Sequence, residues 1–253
     1  MLLLVTDTSG KDGFVGLVRA GEGAPPEKVE VIEEVPLAGG TFSAQLVPQI
    51  SGLLAKHGFR KTDIDAFIVV SGPGSFTGLR VGLAAIKALA EILRKPIVPV
   101  SLLEVLAHYS HMVAAGHDDP SDAAIFRYAV ALDAGRGEAF VGQYEIVIAS
   151  EVDCSCQAVG ESLLDMDGLM ALVESGRDQW IATPDQTVFD ALTKRVSESK
   201  RHCIRKNFGR PGSAEVASIG WHKLKAGQTV APEQLDANYI RRSDAEIFSK
   251  RNC

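Results

Sequence analysis

The sequence predicts an α/β protein of two tandem halves, each running βββαβαβα, and three observations carry that prediction. Short apolar runs bounded by turn residues alternate with stretches of helical period in both halves. An Asp that closes an apolar run is followed seven residues on by Phe-Val-Gly in two places: Asp7 with Phe14-Val15-Gly16, and Asp133 with Phe140-Val141-Gly142. The two copies stand half a chain apart, and the order of elements after each one is the same, which is how a duplicated unit shows itself.

Residues 2–6 are apolar and end in Asp7-Thr8-Ser9-Gly10, a turn composition. Residues 14–19 and 29–35 supply the next two strands, joined through the Gly- and Pro-rich residues 21–26. Phe42, Leu46, Ile50, Leu53 and Leu54 fall on one stripe of a helix that Ser43 caps and that runs to about His57, with Pro48 expected to kink or delay it. Residues 66–70 form the fourth strand and residues 79–93 a helix with Leu79, Gly82, Leu83, Ile86, Ala90 and Leu93 along one side. Residues 97–100 are a short strand, after which Ser101 caps a helix over residues 102–115. The polar residues 116–122, with Pro120 among them, divide an N-terminal domain, residues 1–115, from a C-terminal domain, residues 122–253, whose tail is free to pack back on the first. In the second domain residues 161–176 read as a helix, 179–182 as a strand, 185–197 as a helix, 202–205 as a strand and 213–225 as a helix.

Composition narrows the function. The chain has 253 residues, 46% of them apolar and 23% charged, which suits a packed globular protein. No apolar run reaches the length of a membrane span, and Met1-Leu2-Leu3-Leu4-Val5 meets Asp7 with no basic residue ahead of it, so it reads as a strand and not a signal peptide. The expected location is the cytoplasm. Cys154 and Cys156 sit two apart, on one face of a strand, while Cys203 and Cys253 stand alone; without a Cys-x-x-Cys pair all four read as reduced thiols. A net charge of −6 argues against an independent nucleic-acid binder, and the basic residues 201–206 and Arg241-Arg242 read first as solvated surface.

The chemistry centres on Gly72-Pro73-Gly74-Ser75-Phe76-Thr77-Gly78, between the fourth strand and the helix after it. Three glycines and a proline demand an unusual backbone path, and Ser75 or Thr77 can cap the helix. Such a turn aims N–H groups and the positive end of a helix dipole at one spot, so Gly72, Gly74, Ser75 and Thr77 either seat an anion or simply build a tight turn. No Lys-Ser or Lys-Thr pair follows, so this is not a Walker A loop. Asp7 and Asp133 end matching hairpins. Facing one cleft they would make a carboxylate pair for phosphate and magnesium; equally, Asp is a favoured turn residue that bonds its own backbone. His108 and His111 share a helix face, with His117 nearby, but no carboxylate or cysteine pattern supports a metal there, and no metal ligand is assigned. Ser75 lacks His and Asp partners and the Gly-x-Ser-x-Gly frame, so no serine nucleophile is assigned either. The helix over residues 79–93 carries the small residues Ala84, Ala85 and Ala88 beside its stripe; one side covers the sheet, and the apolar surplus serves a partner or is buried too.

Gly72-Pro73-Gly74-Ser75-Phe76-Thr77-Gly78-Leu79-Arg80-Val81-Gly82 closely resembles the signature of the bacterial TsaB (YeaZ-like) family. Supporting matches are Leu4-Val5-Thr6-Asp7-Thr8-Ser9; Phe42-Ser43-Ala44-Gln45-Leu46-Val47-Pro48, like the family's Ser-x-x-Leu-Leu-Pro helix; Pro99-Val100-Ser101-Leu102-Leu103; Leu132-Asp133-Ala134-Gly135-Arg136-Gly137-Glu138; and Asn238-Tyr239-Ile240-Arg241. The matches are dense through Leu103 and scattered beyond it. The resemblance implies the actin/hexokinase-like (ASKHA) fold and an accessory, non-catalytic role in making threonylcarbamoyladenosine beside the tRNA anticodon. The implied partners are a TsaD-type catalytic subunit, a TsaE-type ATPase, and tRNA only through the complex. In the family the first-domain helices join TsaD or, alone, a second copy as a homodimer, which here puts Leu46, Ile50, Leu53, Leu83 and Ile86 at a partner-facing helix pair. The catalytic relative carries a His-x-x-x-His metal pair on the helix after the third strand, whereas residues 39–56 contain no histidine, so no catalytic residue is assigned. The second-domain stretch Ala182-Thr183-Pro184-Asp185 has no glycine, so no cofactor is expected, and any nucleotide binding at Asp7, Gly72, Gly74, Ser75, Thr77 and Asp133 is expected to be weak and confined to a partner interface. The alternatives are an ATP-dependent ASKHA phosphotransferase using Asp7, Asp133 and the glycine loop, and, more remotely, a glycoprotease-like peptidase.

Overall fold

Strand β1 (Leu2–Asp7) is buried over its whole length because it pairs on both edges, antiparallel with β2 (Asp12–Ala20) and parallel with β4 (Ala66–Gly72). Successive side chains of a strand point to opposite faces, so Leu3 and Val5 enter one core and Leu2 and Leu4 the other. β4 divides in the same way, Ala66, Ile68 and Val70 against Phe67 and Val69. That double burial is why both strands read as unbroken apolar runs. The computed structural model describes residues 1–21, 29–114, 125–150, 153–175, 179–197, 204–206 and 209–241.

The first sheet is completed by β3 (Val29–Ala38) and β5 (Ile97–Ser101), in the order β3-β2-β1-β4-β5. The second sheet holds β6 (Ile125–Gly135), β7 (Glu138–Ser150), β8 (Asp153–Asp165), β9 (Gln179–Thr183) and β10 (Ile204–Lys206) in the order β8-β7-β6-β9-β10. The two orders are the same path, so the tandem βββαβαβα arrangement is present in both halves. Helices α1 (Phe42–Lys56) and α2 (Phe76–Leu93) cover the outer face of the first sheet; α4 (Met166–Ser175) and α5 (Gln186–Arg195) pack on the outer face of the second. Helices α3 (Leu102–Ala114) and α6 (Ser213–Lys225) lie between the sheets. One continuous core there joins Leu3, Val5 and Ile68 of the first lobe to Tyr128, Val130 and Tyr144 of the second, with Leu103 and Trp221 from the two helices.

Helix α6 belongs to the second half in sequence but lies on the first sheet. Gly220 makes this approach possible, since a Cβ there would come closer than 3.0 Å to the Ile68 side chain. Its positive end is anchored by Glu34 on β3, whose carboxylate accepts the Ser213 N–H at 2.6 Å. Past it, residues 230–241 run back over the first lobe: the Val230 N–H donates to the Ile97 carbonyl, and Leu235 is buried in the core under α1 and α2.

Several elements differ from the sequence reading. Residues 161–165 extend β8 instead of opening a helix, because they pair with residues 138–142 of the long β7; that pairing outweighs local propensity. Helix α2 starts at Phe76, three residues before Leu79, because Ser75 supplies the cap. Helix α1 begins after Thr41, whose side chain makes no cap bond, and keeps Pro48 inside it, and Ser101 closes β5 immediately before α3. Cys154 and Cys156 fall in β8, while Cys203, Cys253, Arg242, His117 and residues 116–122 lie outside the described residues. Among the described residues no helix is long and apolar enough to cross a membrane.

Candidate functional site between the lobes

The glycine motif is first of all a packing device. Gly72 leaves β4 at φ +124°, a conformation that only glycine adopts readily. Ser75 caps α2, its Oγ accepting the Gly78 N–H at 3.3 Å, and the Ser75 N–H donates to the Ser9 carbonyl at 2.6 Å. Gly74, Gly78 and Gly82 stand four residues apart and present a bare edge to the turn that follows β1. A Cβ at any of them would come closer than 3.0 Å to the Ser9 carbonyl oxygen, the Thr8 carbonyl oxygen or Thr8 Oγ1, respectively. The N–H groups of Ser75, Gly78 and Leu79 are satisfied within the protein, so the turn itself consumes donors that an anion would need. Ser75 Oγ is likewise committed as a cap.

The two aspartates make matching turns but have different surroundings. Asp7 Oδ1 accepts the Ser9 N–H at 2.7 Å, and Asp133 Oδ1 accepts the Gly135 N–H at 2.7 Å. Asp7 is only 2% exposed; burial pushes its carboxyl above the ordinary range, opposed by the bonds from Ser9 and by the charge of Arg210. Asp133 is exposed. The sequence suggested a carboxylate pair facing one cleft, and the structure corrects this: only Asp133 is on the cleft wall. Gly74 and Ser75 also line it; Gly72 is buried behind it and Thr77 is exposed outside it.

The cleft is a cavity of about 1070 Å³. Its first-lobe wall is formed by Ser9, Gly10, Lys11 and Asp12 with Pro73 to Phe76; its second-lobe wall is formed by Asp133 to Arg136 and Asp185 to Thr187. Arg210, from the segment before α6, and Asn238 to Arg241 complete it. On the second wall the Asp133 N–H donates to Asp185 at 2.7 Å. Arg241 donates to the Ala134 carbonyl at 2.8 Å and the Gly135 carbonyl at 3.3 Å, and pairs with Glu138. Thus the hairpin between β6 and β7 is held by the chain's own tail.

Those tail contacts belong to a strap; the sequence reading allowed the tail to pack back on the first domain but did not identify the partners that hold it. The Asn238 N–H donates to the Ser71 carbonyl at 2.7 Å, and its side-chain amide donates to Glu161 at 2.5 Å. Glu161 also accepts from Ser101 at 2.5 Å and from Tyr144 at 2.8 Å, so one carboxylate ties β5, β7, β8 and the tail together. Burial and the Glu161 charge push the Tyr144 phenol far above its ordinary pKa, which keeps it a neutral donor. Tyr239 accepts from Arg80 Nε at 3.1 Å, and the Arg80 guanidinium lies 3.6 Å above the Phe76 ring. No local pattern marks such partners, which are far apart in the chain; only the block Asn238-Tyr239-Ile240-Arg241 hinted at them.

On the outer helices, Leu46, Ile50, Leu53, Leu83 and Ile86 are all buried in the core between α1, α2 and the sheet. They are not surface residues: an amphipathic stripe identifies the side that covers the sheet, and the side free for a partner is the opposite one. That side presents Ala44, Val47, Pro48, Gly52 and Ala55 on α1 and Ala84, Ala88 and Ile92 on α2, with Ile92 77% exposed. His108 and His111 lie in α3. Among the described residues no group of three or more His, Cys, Asp and Glu side chains is placed to hold a metal.

Comparison with known proteins adds to this geometry. Residues 36–217 match the family model of TsaD, tRNA N6-adenosine threonylcarbamoyltransferase. The chain is similar to the tRNA threonylcarbamoyladenosine biosynthesis protein TsaB of Bacillus subtilis, 27% identical over 97% of this chain and 96% of that one. The TsaB of Haemophilus influenzae is 31% identical over 64% of this chain and 67% of its own. Among solved structures, YeaZ from Pseudomonas aeruginosa superposes with a TM-score of 0.67 at 21% identity, covering 94% of this chain and 100% of that one, a likeness of fold.

Proposed function

The chain belongs to the TsaD family, among its TsaB (YeaZ) members, and from that premise we propose that it is the non-catalytic subunit for threonylcarbamoylation of the tRNA adenosine beside the anticodon. It acts by pairing with a TsaD-type catalytic subunit, with a TsaE-type ATPase as a further partner and tRNA reached only through the complex. The observation that carries this reading is the bare outer surface of α1. Residues 39–56 hold no histidine, and the outward side chains of α1 from Ala44 to Ala55 include no imidazole, carboxylate or thiol to replace a His-x-x-x-His metal pair. A phosphotransferase would need Asp7 and Asp133 on one wall, and Asp7 is buried away from it.

The outward side of α1 and α2 is the docking face. Its small residues let another helix pair approach closely, and its exposed apolar atoms are removed from water when it does so. The partner is the TsaD-type subunit or, without it, a second copy. The test is co-purification with the TsaD-type subunit from the same organism. Ala84→Glu and Ala88→Glu are expected to abolish the complex with melting temperature unchanged, whereas Leu83→Glu should unfold the protein by placing a charge in the core. Retention of the complex by both alanine variants would remove this face from the assignment. Turnover of tRNA to threonylcarbamoyladenosine by the purified chain alone would overturn the non-catalytic role.

A further inference from the structure

Building on the docking face proposed above, we propose that Arg80 is the residue by which that face selects its partner: its guanidinium, held in place by Phe76 and Tyr239, takes a carboxylate of the docking subunit. Phe76, Arg80, Ala84, Ala88 and Ile92 recur every four residues along α2, and all are exposed. Arg80 therefore stands one turn from Ala84. Its guanidinium lies 3.6 Å from the centre of the Phe76 ring and 6.0 Å from that of Tyr239, and its Nε donates to the Tyr239 hydroxyl at 3.1 Å. The two rings are each 38% exposed, with their centres 5.1 Å apart. An arginine on a surface ordinarily loses rotamer freedom when it binds; this one is already ordered by its two rings, which lowers the cost of association. Among the described residues its terminal nitrogens donate to nothing, so the end of the fork that fits a carboxylate is open. Tyr239 belongs to the tail strap, so the far end of the chain positions this anchor.

A helix that packs on Ala84 also excludes water from Arg80. A guanidinium stripped of water without an acceptor is strongly unfavourable, so the surface that fits here carries an opposite charge, and a carboxylate that takes both terminal nitrogens completes the fork. A second copy answers this poorly: α1 has no Asp or Glu, and Glu91, near the far end, is the only one on α2. Arg80 therefore favours a different, carboxylate-bearing subunit over self-association. A phosphate backbone fits less well. It is held by several cations together, whereas the stripe beyond Arg80 continues as Ala84, Ala88 and Ile92, and the chain carries a net charge of −6.

Calorimetric titration of the full chain with the TsaD-type subunit from the same organism tests this. Arg80→Gln should weaken the complex roughly tenfold or more, with little change in melting temperature because the side chain is exposed. Arg80→Lys keeps the charge but not the fork and should recover only part of the loss. Added salt should weaken the parent complex more than the Arg80→Gln complex. Tyr239→Phe should weaken the parent complex several-fold yet have no further effect in the Arg80→Gln background, because it acts through the arginine; an equal effect in both backgrounds would overturn its positioning role. Ala84→Glu separates the anchor from the face. If it abolishes the complex while Arg80→Gln binds as the parent does, the face stands and the anchor falls; if it leaves the complex intact, the face falls and the anchor with it. Unchanged binding of the subunit by Arg80→Gln, with self-association weakened in both Arg80→Gln and Glu91→Gln, would assign the arginine to a second copy. Unchanged binding with tRNA no longer retained by the complex would assign it to nucleic acid. Either result overturns the proposal.

Discussion

At Gly78 an added methyl group would press on the Thr8 carbonyl, whereas at Gly52, in the neighbouring helix, it would meet nothing within 4 Å. Gly52→Ala should therefore stabilise the protein by about 0.5–1 kcal/mol, the ordinary helical advantage of alanine. Gly78→Ala should lose about 1–3 kcal/mol, because overpacking against backbone outweighs that advantage. Urea midpoints of the two variants measure the difference, and equal stability would show that α2 does not need its close approach to the β1 turn. Asp7 gives a prediction of the opposite pH sense from most native carboxylates. Its carboxyl is raised by burial, so the folded state holds its proton more tightly than the unfolded chain and the ionised form costs stability. Asp7→Asn, which keeps the acceptor for the Ser9 N–H, should be more stable than the parent near neutral pH. The advantage should shrink on acidification and vanish below the ordinary Asp value of 3.8, where both states are protonated. A difference in stability independent of pH would refute the burial argument. The sequence revealed that glycine and aspartate mattered at these positions, through composition and repetition; it did not reveal that one aspartate is buried and its twin exposed, because that depends on what packs from Arg210 and α6.

Among the elements, β1, β4 and α6 were legible because each carries its signal locally: unbroken apolar runs for strands buried on both faces, and helical period for residues 213–225. The end of β8 was not, since residues 161–165 are strand only by virtue of β7 beside them. The same limit hid the partners of the tail strap, whose role comes from residues far apart in the chain meeting at Glu161. Three donors reach that carboxylate, and Asn238 brings one of them while its own backbone holds β4. Asn238→Ala should cost about 1.5–3 kcal/mol, the range for a hydrogen bond to a charged group. Hydrogen exchange should speed up in residues 230–241 and at the end of β4, with α4 and α5 unaffected. Unchanged exchange in the strap would mean that Leu235 and Tyr239 hold it without the Glu161 node.

For the molecule as a whole, the tandem pattern foretold two like halves, and the structure shows the same strand path twice, yet the halves are not separate bodies. Helix α6 comes from the second half and lies on the first sheet, and the core between the sheets is a single cluster drawing on both. What pattern reading supplied for docking was likewise the inward side of α1 and α2, since a stripe of apolar residues reports the larger burial first and the partner's face only by subtraction. An isolated piece such as residues 1–115 would expose Leu3, Val5, Ile68 and Val98 where α6 now covers them, together with the Leu103 face of α3. Removing that much apolar burial from a small unit leaves too little to offset chain entropy. Calorimetry of the intact chain is therefore expected to give one transition with matching calorimetric and van't Hoff enthalpies, and residues 1–115 alone should lack a cooperative melt. Two separable transitions, or a folded fragment of residues 1–115, would show that the shared core contributes less to stability than its burial implies.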